Sequence, residues 1–230
     1  MKHLDLFSGI GGFALAARWA GIETVAFCEI EEFPRKVLAK NFPGVPIHHD
    51  IHDLDGSEYA GIDLITGGYP CQPFSLAGKR RGTEDDRHLW PEMRRVIAHA
   101  RPAWVVCENV YGHITMGLDE MLHDLEGEGY AARPFVVPAA AVGADHRRDR
   151  VWVVANASSG GEQQSGARGN ERRLQSEILQ GRRNRDYFKI APRADRVADG
   201  LPRRVDRIRG LGNAIVPQVA YEILRTIRAV

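Results

Sequence analysis

Short apolar runs alternate along this chain with amphipathic stretches. The runs predict β-strands at 3–7, 24–28, 62–66, 104–107, 134–137 and 151–155. Apolar residues at helical spacing predict helices at 12–20, 34–41, 91–100, 118–126 and 213–228. A further short strand is predicted to end at Asp50 and Ile51. Strands that are apolar on both faces and alternate with helices are typical of the α/β class, with a mostly parallel sheet covered by helices on both faces.

The composition is that of one ordinary globular domain. The chain has 230 residues, of which 43% are hydrophobic, so it can bury a sizeable core without a disulfide or a metal. The N-terminal residues contain no long apolar run, which predicts neither a signal peptide nor a membrane span and favours a cytoplasmic location. The three cysteines, Cys28, Cys71 and Cys107, show no CxxC spacing, which argues against a disulfide framework and a zinc site.

The charge is distributed unevenly. Lys and Arg number 31 against 30 Asp and Glu, a net charge of +1. Residues 156–210 alone contain 13 basic and 7 acidic residues, a net charge of +6, which leaves −5 for the rest of the chain. A basic segment on an acidic body indicates a polyanionic partner, nucleic acid first, although a merely solvated Arg-rich loop is an equal alternative on charge alone.

A glycine-rich turn follows the first predicted strand, in the sequence Asp5-Leu-Phe-Ser-Gly-Ile-Gly-Gly12. Such a turn lets a ligand approach the backbone closely and presents free helix N–H groups to it. The spacing does not match GxGxxG, so the dinucleotide fingerprint is not met, and a purely structural tight turn stays open as an alternative. Glu29 follows the second strand, where a doubly wound sheet places an acid that binds a ribose.

A second motif, Gly67-Gly-Tyr-Pro-Cys-Gln-Pro-Phe-Ser75, follows the strand predicted at 62–66. Cys71 lies between prolines at the carboxyl end of a strand, where open α/β sheets bind their ligands. A thiol in such a rigid loop is suited to act as a nucleophile, whereas Cys28 and Cys107 are more typical of buried apolar residues.

Two further motifs carry charge at strand ends. Glu108 follows the strand at 104–107, and in an apolar pocket its pKa would rise enough for it to donate a proton to a ring nitrogen. The alternative is an ordinary turn in which Glu108 caps the next segment. In the motif HRRDR, an extended backbone would place His146, Arg148 and Arg150 on one face, where they could pair with phosphate or with carboxylates, or form a solvated edge.

Taken in order, the motifs DLFSGIGG, GGYPCQPFS, ENV, HRRDR and GLGNAIVPQ resemble those of the DNA (cytosine-5) methyltransferases. The resemblance extends over nearly the whole chain. It implies the Rossmann-like fold of class I S-adenosylmethionine-dependent methyltransferases, with a catalytic core at 1–155, a reduced basic target-recognition insert at 156–209 and a C-terminal helix at 210–230 that returns to the core. It also implies S-adenosylmethionine as cofactor, with S-adenosylhomocysteine as product, and double-stranded DNA as partner, with no metal and no membrane, in a monomer associated with the nucleoid.

The resemblance assigns roles to individual residues. It implies that Cys71 is the nucleophile, that Glu108 engages the cytosine, and that Arg148 and Arg150 lie beside the target base. The cofactor residues that it implies, with Phe7 beside the adenine and Glu29 at the ribose, are Phe7, Ser8, Gly9, Gly11, Gly12, Glu29, Ile30, Asp50, Ile51, Pro70, Leu89, Asn213 and Ala214. The implied reaction is addition of the Cys71 thiolate to carbon 6 of a flipped cytosine, followed by methylation of carbon 5.

The sequence departs from the family pattern at two places. His146 stands where the family usually has Gln, which adds a group that titrates near neutral pH. Only residues 156–209 are available for target recognition, so we expect a short or relaxed target site. Two other functions remain open: a tRNA cytosine-5 methyltransferase, because the motif set is shared, and a catalytically idle DNA-binding protein of the same fold. A restriction–modification system is one possible setting.

Overall fold

The computed structural model describes residues 1–70, 89–157 and 204–230. Within these ranges the chain forms one seven-stranded sheet with the order β3-β2-β1-β4-β5-β7-β6. The strands are β1 (Lys2–Leu6), β2 (Glu23–Cys28), β3 (Ile47–His48), β4 (Leu64–Gly67), β5 (Trp104–Val110), β6 (Tyr130–Val137) and β7 (Arg150–Ala157). The pairs among β1 to β5 are parallel, and β7 is antiparallel to both β5 and β6.

Helices cover both faces of this sheet. In the described ranges they are α1 (Gly12–Trp19), α2 (Glu32–Asn41), α3 (Trp90–Ala100), α4 (Leu118–Gly127), α5 (Arg204–Asn213) and α6 (Pro217–Arg228). Short 3₁₀ turns occur at Gly56–Tyr59, Tyr111–Thr115 and Ala139–Val142. The predicted α/β class, with a mostly parallel sheet, is therefore confirmed.

The core lies in two main layers, one on each face of the sheet. On one face, Met93 of α3 and Met121 of α4 pack among buried side chains of β1, β4 and β5. On the other, Phe13 of α1 and Ile223 of α6 pack with Trp152 of β7, and the Phe13 and Trp152 rings meet edge to face with centroids 5.8 Å apart. The C-terminal helix thus closes the same layer as the first helix of the chain.

Several predicted elements differ from the structure. Strand β5 runs to Val110, so that Glu108 lies within it, and β6 begins at Tyr130, four residues before the predicted start. The helix predicted at 213–228 begins at Pro217, and the separate helix α5, which ends at Asn213, was not predicted. Proline fixes its own φ and disfavours the helical conformation of the residue before it, so Val216 is extended and Pro217 starts a new helix. Helix α5 also runs across the boundary predicted between 209 and 210.

The third strand ends earlier than predicted. It ends at His48, and Asp50 and Ile51 lie in the turn that follows it. The Asp50 carboxylate accepts hydrogen bonds from the backbone N–H and the Nδ1 atom of His52, at 3.0 and 2.7 Å. An aspartate that bonds to the backbone two residues further on favours a turn over a strand.

A buried polar chain crosses three strands at the centre of the sheet. His3 Nδ1 lies 2.9 Å from the Thr24 hydroxyl, and His3 Nε2 lies 2.7 Å from the Thr66 hydroxyl. The Thr66 hydroxyl donates to Oδ1 of Asp5 at 2.9 Å. When the Thr66 hydroxyl donates its one proton to Asp5, a neutral His3 donates from Nε2 to the Thr66 oxygen and accepts at Nδ1 from Thr24. Burial lowers the pKa of His3 to about 3 and raises that of Asp5 well above its usual value, so both side chains favour their neutral forms.

We expect Gly11→Ala to lower the free energy of unfolding by about 2 kcal/mol. Gly11 has φ +89°, and an added Cβ would lie 2.9 Å from Cε2 of Phe42 and 3.0 Å from Cδ2 of Leu38. Gly44→Ala is the matched control, since Gly44 has φ +85° and its added Cβ would meet nothing within 4 Å. The control should lose only the free energy of backbone strain, about 1 kcal/mol. Urea denaturation measures both, and equal stabilities for the two variants would contradict the packing argument.

We expect the stability of Asp5→Asn relative to the wild type to increase with pH. Above the pKa of Asp5 in the unfolded chain, the folded protein keeps a proton that the unfolded chain has lost, so each rise in pH costs stability. Asparagine removes that cost. The difference in unfolding free energy between variant and wild type should grow by up to about 1.4 kcal/mol per pH unit above pH ~4. Denaturant titrations at several pH values measure it, and a difference independent of pH would show that Asp5 is ionised in the fold.

Candidate active site

The register of four parallel strands places the candidate residues at one edge of the sheet. Leu6 of β1 pairs with Cys28 of β2 on one side and with Gly67 of β4 on the other, and Gly67 pairs with Cys107 of β5. The residues that follow each member of this row therefore meet at the carboxyl ends of the strands. Open α/β sheets bind their ligands in this region.

A cavity of about 440 Å³ opens at this edge, a size typical of small-molecule sites. It brings together most of the side chains that the sequence singled out. The predicted site residues that line it are Phe7, Gly9, Glu29, Ile30, Asp50, Ile51, Pro70, Leu89, Glu108, Arg148, Arg150, Asn213 and Ala214. Chain segments from 7 to 214 thus converge on one cavity.

The remaining predicted site residues are placed differently. Ser8, Gly11 and Gly12 are not among the cavity's lining residues. The Ser8 hydroxyl donates to the Asp5 carbonyl at 2.6 Å, and the two glycines lie against α2 and against Ile215. Cys71, the predicted nucleophile, lies outside the described residues, directly after Pro70 of the cavity wall.

The glycine turn brings the backbone to the cavity. Phe7 and Gly9 have φ angles of +52° and +53°, in the left-handed region that favours glycine. A Cβ on Gly9 would meet no atom within 4 Å, so the space beside this backbone is open. A ligand could therefore contact the main chain here, as the sequence predicted.

Glu29 is a buried carboxylate at the end of β2. Its Oε2 accepts a hydrogen bond from the Gly9 N–H, and its Oε1 accepts one from the Glu31 N–H, each at 2.7 Å. Burial raises the pKa of Glu29, and the two backbone hydrogen bonds act in the opposite direction. Both carboxylate oxygens are thus held at fixed positions on the cavity wall, beside the glycine turn.

Glu108 is buried on β5 and forms an ion pair across the sheet. Its Oε1 lies 3.0 Å from Nε of Arg150, at the start of the antiparallel strand β7. Burial raises the pKa of Glu108 to about 7, although Arg150 and Arg148 both lower it. The carboxyl can therefore exchange a proton near neutral pH, as a general acid or base must. This rise in the pKa of Glu108 is the effect that burial in an apolar pocket was predicted to have.

The HRRDR segment divides its side chains between the cavity and the solvent. Arg148 and Arg150 line the cavity, whereas Arg147 is 84% exposed and pairs with Asp149 at 3.1 Å. His146 is exposed and lies outside the lining, contrary to the face predicted for it. The simple alternation fails because Arg148 has φ +40°, which is not an extended conformation.

Sequence reasoning did not foresee the anchor of the segment that leads to Cys71. The Asn109 side-chain amide donates to the Tyr69 carbonyl at 3.2 Å, and the Tyr69 hydroxyl lies 2.8 Å from Nε2 of His113. Tyr69 also packs against Trp90, with ring centroids 5.5 Å apart. These contacts fix the backbone one residue before Pro70. In the sequence, Asn109 follows directly after the candidate residue Glu108, and this position could have suggested that its side chain helps to build the site.

The two described cysteines are buried. Burial raises the pKa of Cys28 to about 12 and also raises that of Cys107, which keeps both thiols protonated and poorly nucleophilic. Within the described ranges, no three His, Cys, Asp or Glu side chains are grouped to hold a metal ion. No helix in those ranges is long and apolar enough to cross a membrane.

Comparison with known proteins points to one family. Residues 1–193 match the family model described as C-5 cytosine-specific DNA methylase. The chain is 37% identical over 168 residues to type II methyltransferase M2.BsuMI of Bacillus subtilis, an alignment of 68% of this chain and 42% of that protein. It is 36% identical over 157 residues to type II methyltransferase M.NgoMIV of Neisseria gonorrhoeae, covering 66% of this chain and 50% of that protein. The chain thus spans half or less of the length of these relatives.

Solved structures share the fold. A putative DNA modification methyltransferase encoded within an Escherichia coli prophage aligns with a TM-score of 0.60 and 27% identity, over 68% of this chain and 47% of that one. The Schizosaccharomyces pombe Dnmt2 methyltransferase aligns with a TM-score of 0.62 and 21% identity, over 86% of this chain and 58% of that one.

Replacing Arg150 with Gln should raise the pKa of Glu108 above its value of about 7, because the guanidinium at 3.0 Å favours the ionised carboxylate. The protonated form would then persist to higher pH. The titration can be followed by NMR of ¹³C-labelled glutamate side chains, with Glu108→Gln used to assign the signal. A pKa that stays the same or falls in the Arg150 variant would mean that the ion pair does not control this proton.

Proposed function

The chain belongs to the C-5 cytosine-specific DNA methylase family, and we propose that it transfers a methyl group from S-adenosylmethionine to carbon 5 of cytosine in DNA. One observation carries this proposal. A buried carboxyl with a pKa of about 7, Glu108, shares a single cavity with the glycine turn and with the residue that precedes Cys71. A proton donor for a pyrimidine ring and a cofactor cradle therefore face the same space.

The cavity fits the proposed cofactor. The open space beside Gly9 would admit a nucleoside to within contact of the backbone, where any side chain would obstruct it. The Glu29 carboxylate would accept hydrogen bonds from the ribose hydroxyls. Phe7, Ile30, Asp50 and Ile51 would surround the adenine.

The methionine end would lie on the other side of the cavity. Leu89, Asn213 and Ala214 would hold it, close to Pro70 and the segment that continues to Cys71. Bound S-adenosylmethionine would supply an electrophilic methyl group on its sulfonium sulfur.

Cys71 is the proposed nucleophile. Carbon 5 of cytosine is a poor nucleophile, so the thiolate of Cys71 would add to carbon 6 and turn the ring into an enamine that reacts at carbon 5. Methylation of carbon 5 would leave S-adenosylhomocysteine as the product. Water would then take the carbon-5 proton, and elimination of the thiolate, with return of the ring-nitrogen proton to Glu108, would restore the aromatic ring and free Cys71. The anchor of Tyr69 by Asn109 would hold the backbone ahead of this thiol.

Glu108 would place a proton at ring nitrogen 3 as the thiolate adds. This proton would offset the negative charge that addition pushes onto the ring, which lowers the barrier to the covalent step. A carboxyl with a pKa of about 7 is protonated in a large fraction of molecules at neutral pH, whereas an ordinary glutamate is not. Arg150 would hold Glu108 in place and could meet the ring oxygen.

Access to the base requires the cytosine to leave the duplex, since neither face of a stacked ring is open to a thiol. Flipping a base costs a few kcal/mol, and the basic residues of 156–209 would offset this cost by binding phosphates of double-stranded DNA. The small size of that segment supports a short or relaxed target sequence.

The test is covalent capture together with methyl transfer. Duplex DNA that contains 5-fluorocytosine should form an adduct with the wild type that depends on S-adenosylmethionine, and Cys71→Ala should form none. Glu108→Gln should slow tritiated methyl transfer by about 10²-fold or more, the weight of a positioned general acid. Mapping the methylated bases by bisulfite sequencing gives the target sequence in the same experiment.

Cys107→Ala is the matched control, because it removes a buried thiol one residue from Glu108. It should retain the adduct. An adduct that persists in Cys71→Ala would remove Cys71 from the mechanism. Methyl transfer to tRNA but not to duplex DNA would assign a different substrate, and the absence of any transfer by a folded wild type that binds DNA would indicate an idle DNA-binding protein.

A further inference from the structure

Arg148 bonds to the C-terminal part of the chain rather than to the carboxylate of Glu108. Its Nη2 donates hydrogen bonds to the carbonyl oxygens of Gly212 and Ala214, each at 2.8 Å. The contact joins the loop ahead of β7 to residues 64 and 66 positions further along the chain. Arg148 has φ +40°, an uncommon conformation for a residue with a Cβ.

The neighbouring arginines have other partners. Arg150 pairs with Glu108 at 3.0 Å, and Arg147 points to solvent and pairs with Asp149 at 3.1 Å. The three guanidinium groups at 147, 148 and 150 thus have different partners. Because the partners differ, the same substitution at each position tests the role of each arginine separately.

The carbonyls that Arg148 binds lie where α5 ends. The last carbonyls of a helix lack N–H partners within the helix, and a cation at this end also interacts favourably with the helix dipole. Gly212 belongs to the final turn of α5, and Ala214 is the first residue beyond it. The Nη2 atom has two N–H groups and bonds to both carbonyls at once, and so holds the chain where it leaves the helix.

The residue between these two carbonyls, Asn213, lines the cavity, as Ala214 does. The next residue, Ile215, packs on the glycine turn so closely that a Cβ on Gly12 would lie 2.6 Å from its Cγ1 atom. Within α5, Arg209 pairs with Glu31 at 2.6 Å. The turn after α5 is therefore packed on the glycine turn through Ile215, and Arg148 bonds to the carbonyls on either side of Asn213.

We propose that Arg148 is a positioning residue for the cofactor: it fixes Asn213 and Ala214 in the conformation that receives S-adenosylmethionine, while Arg150 serves Glu108 and the target base. The inference rests on the proposed function. It assigns Arg148 to the cofactor and Arg150 to the target base. The resemblance to the family had implied that both arginines lie beside the base.

The experiment measures cofactor binding without DNA. Arg148→Gln, Arg150→Gln and Arg147→Gln are titrated with S-adenosylhomocysteine by calorimetry, and kcat and the KM for S-adenosylmethionine are then measured on duplex DNA. We expect Arg148→Gln to raise the Kd about tenfold or more, as loss of charge-assisted hydrogen bonds predicts. Arg150→Gln should keep the Kd within about twofold and lower kcat, and the exposed Arg147→Gln should change neither.

Arg148→Lys separates the reach of the side chain from its charge. A lysine keeps the cation and several N–H donors but ends one bond short of the position of Arg148 Nη2, so its Kd should lie between those of the wild type and Arg148→Gln. A Kd for Arg148→Lys equal to the wild-type value would overturn the inference. If Arg148→Gln fails to fold, the lysine variant decides the question alone.

A normal Kd in a folded Arg148→Gln, combined with a lower kcat, would place Arg148 at the target base and overturn the inference while leaving the proposed function intact. A wild type that binds no S-adenosylhomocysteine would instead overturn the proposed function itself.

Discussion

The alignment of four parallel strands is the constraint on which the site depends. Because Cys28, Leu6, Gly67 and Cys107 pair in one row across β2, β1, β4 and β5, the first three of these strands end at the same level, and β5 continues from that level through Glu108 to Val110. A shift of one residue in any pair would turn alternate side chains to the other face of the sheet. The strand β7 adds the last element, since its antiparallel pairing with β5 brings Arg150 opposite Val110 and within reach of Glu108.

Much of the fold could be predicted from the sequence because its signals are local. Apolar runs marked most strands of the sheet, and a carboxylate directly after an apolar run, as at Glu108, indicated a strand end that faces a site. The start of α6 was predicted four residues too early, although Pro217 is visible in the sequence, because the apolar spacing of 215–227 begins before it. Helix α5 was not predicted because its sequence is largely polar. The end of β3 was predicted too late, since the hydrogen bonds that Asp50 accepts from His52 form only in the folded turn.

Contacts between distant segments could not be predicted in this way. Spacing indicated that HRRDR presents cations, but the partner of each arginine depends on which carbonyl or carboxylate the fold brings near it. Arg148 meets Gly212 and Ala214 across more than 60 residues of chain, and the amide of Asn109 meets Tyr69 across 40. Cys71 and most of 156–209 lie outside the described residues, and the roles proposed for them follow from the sequence motifs and from family membership.

The packing of α6 against α1 also affects how this protein is made. Phe13 and Ala17, near the start of the chain, share a buried layer with Ile223 and Ile227, near its end. The first helix therefore cannot bury its apolar face in this way while the ribosome is still producing the sheet. Contacts between residues some 200 positions apart are slow to form, and until they form the apolar surface is open to aggregation. A nascent chain that lacks Asn213 and Ala214 would consequently hold an unfinished cavity.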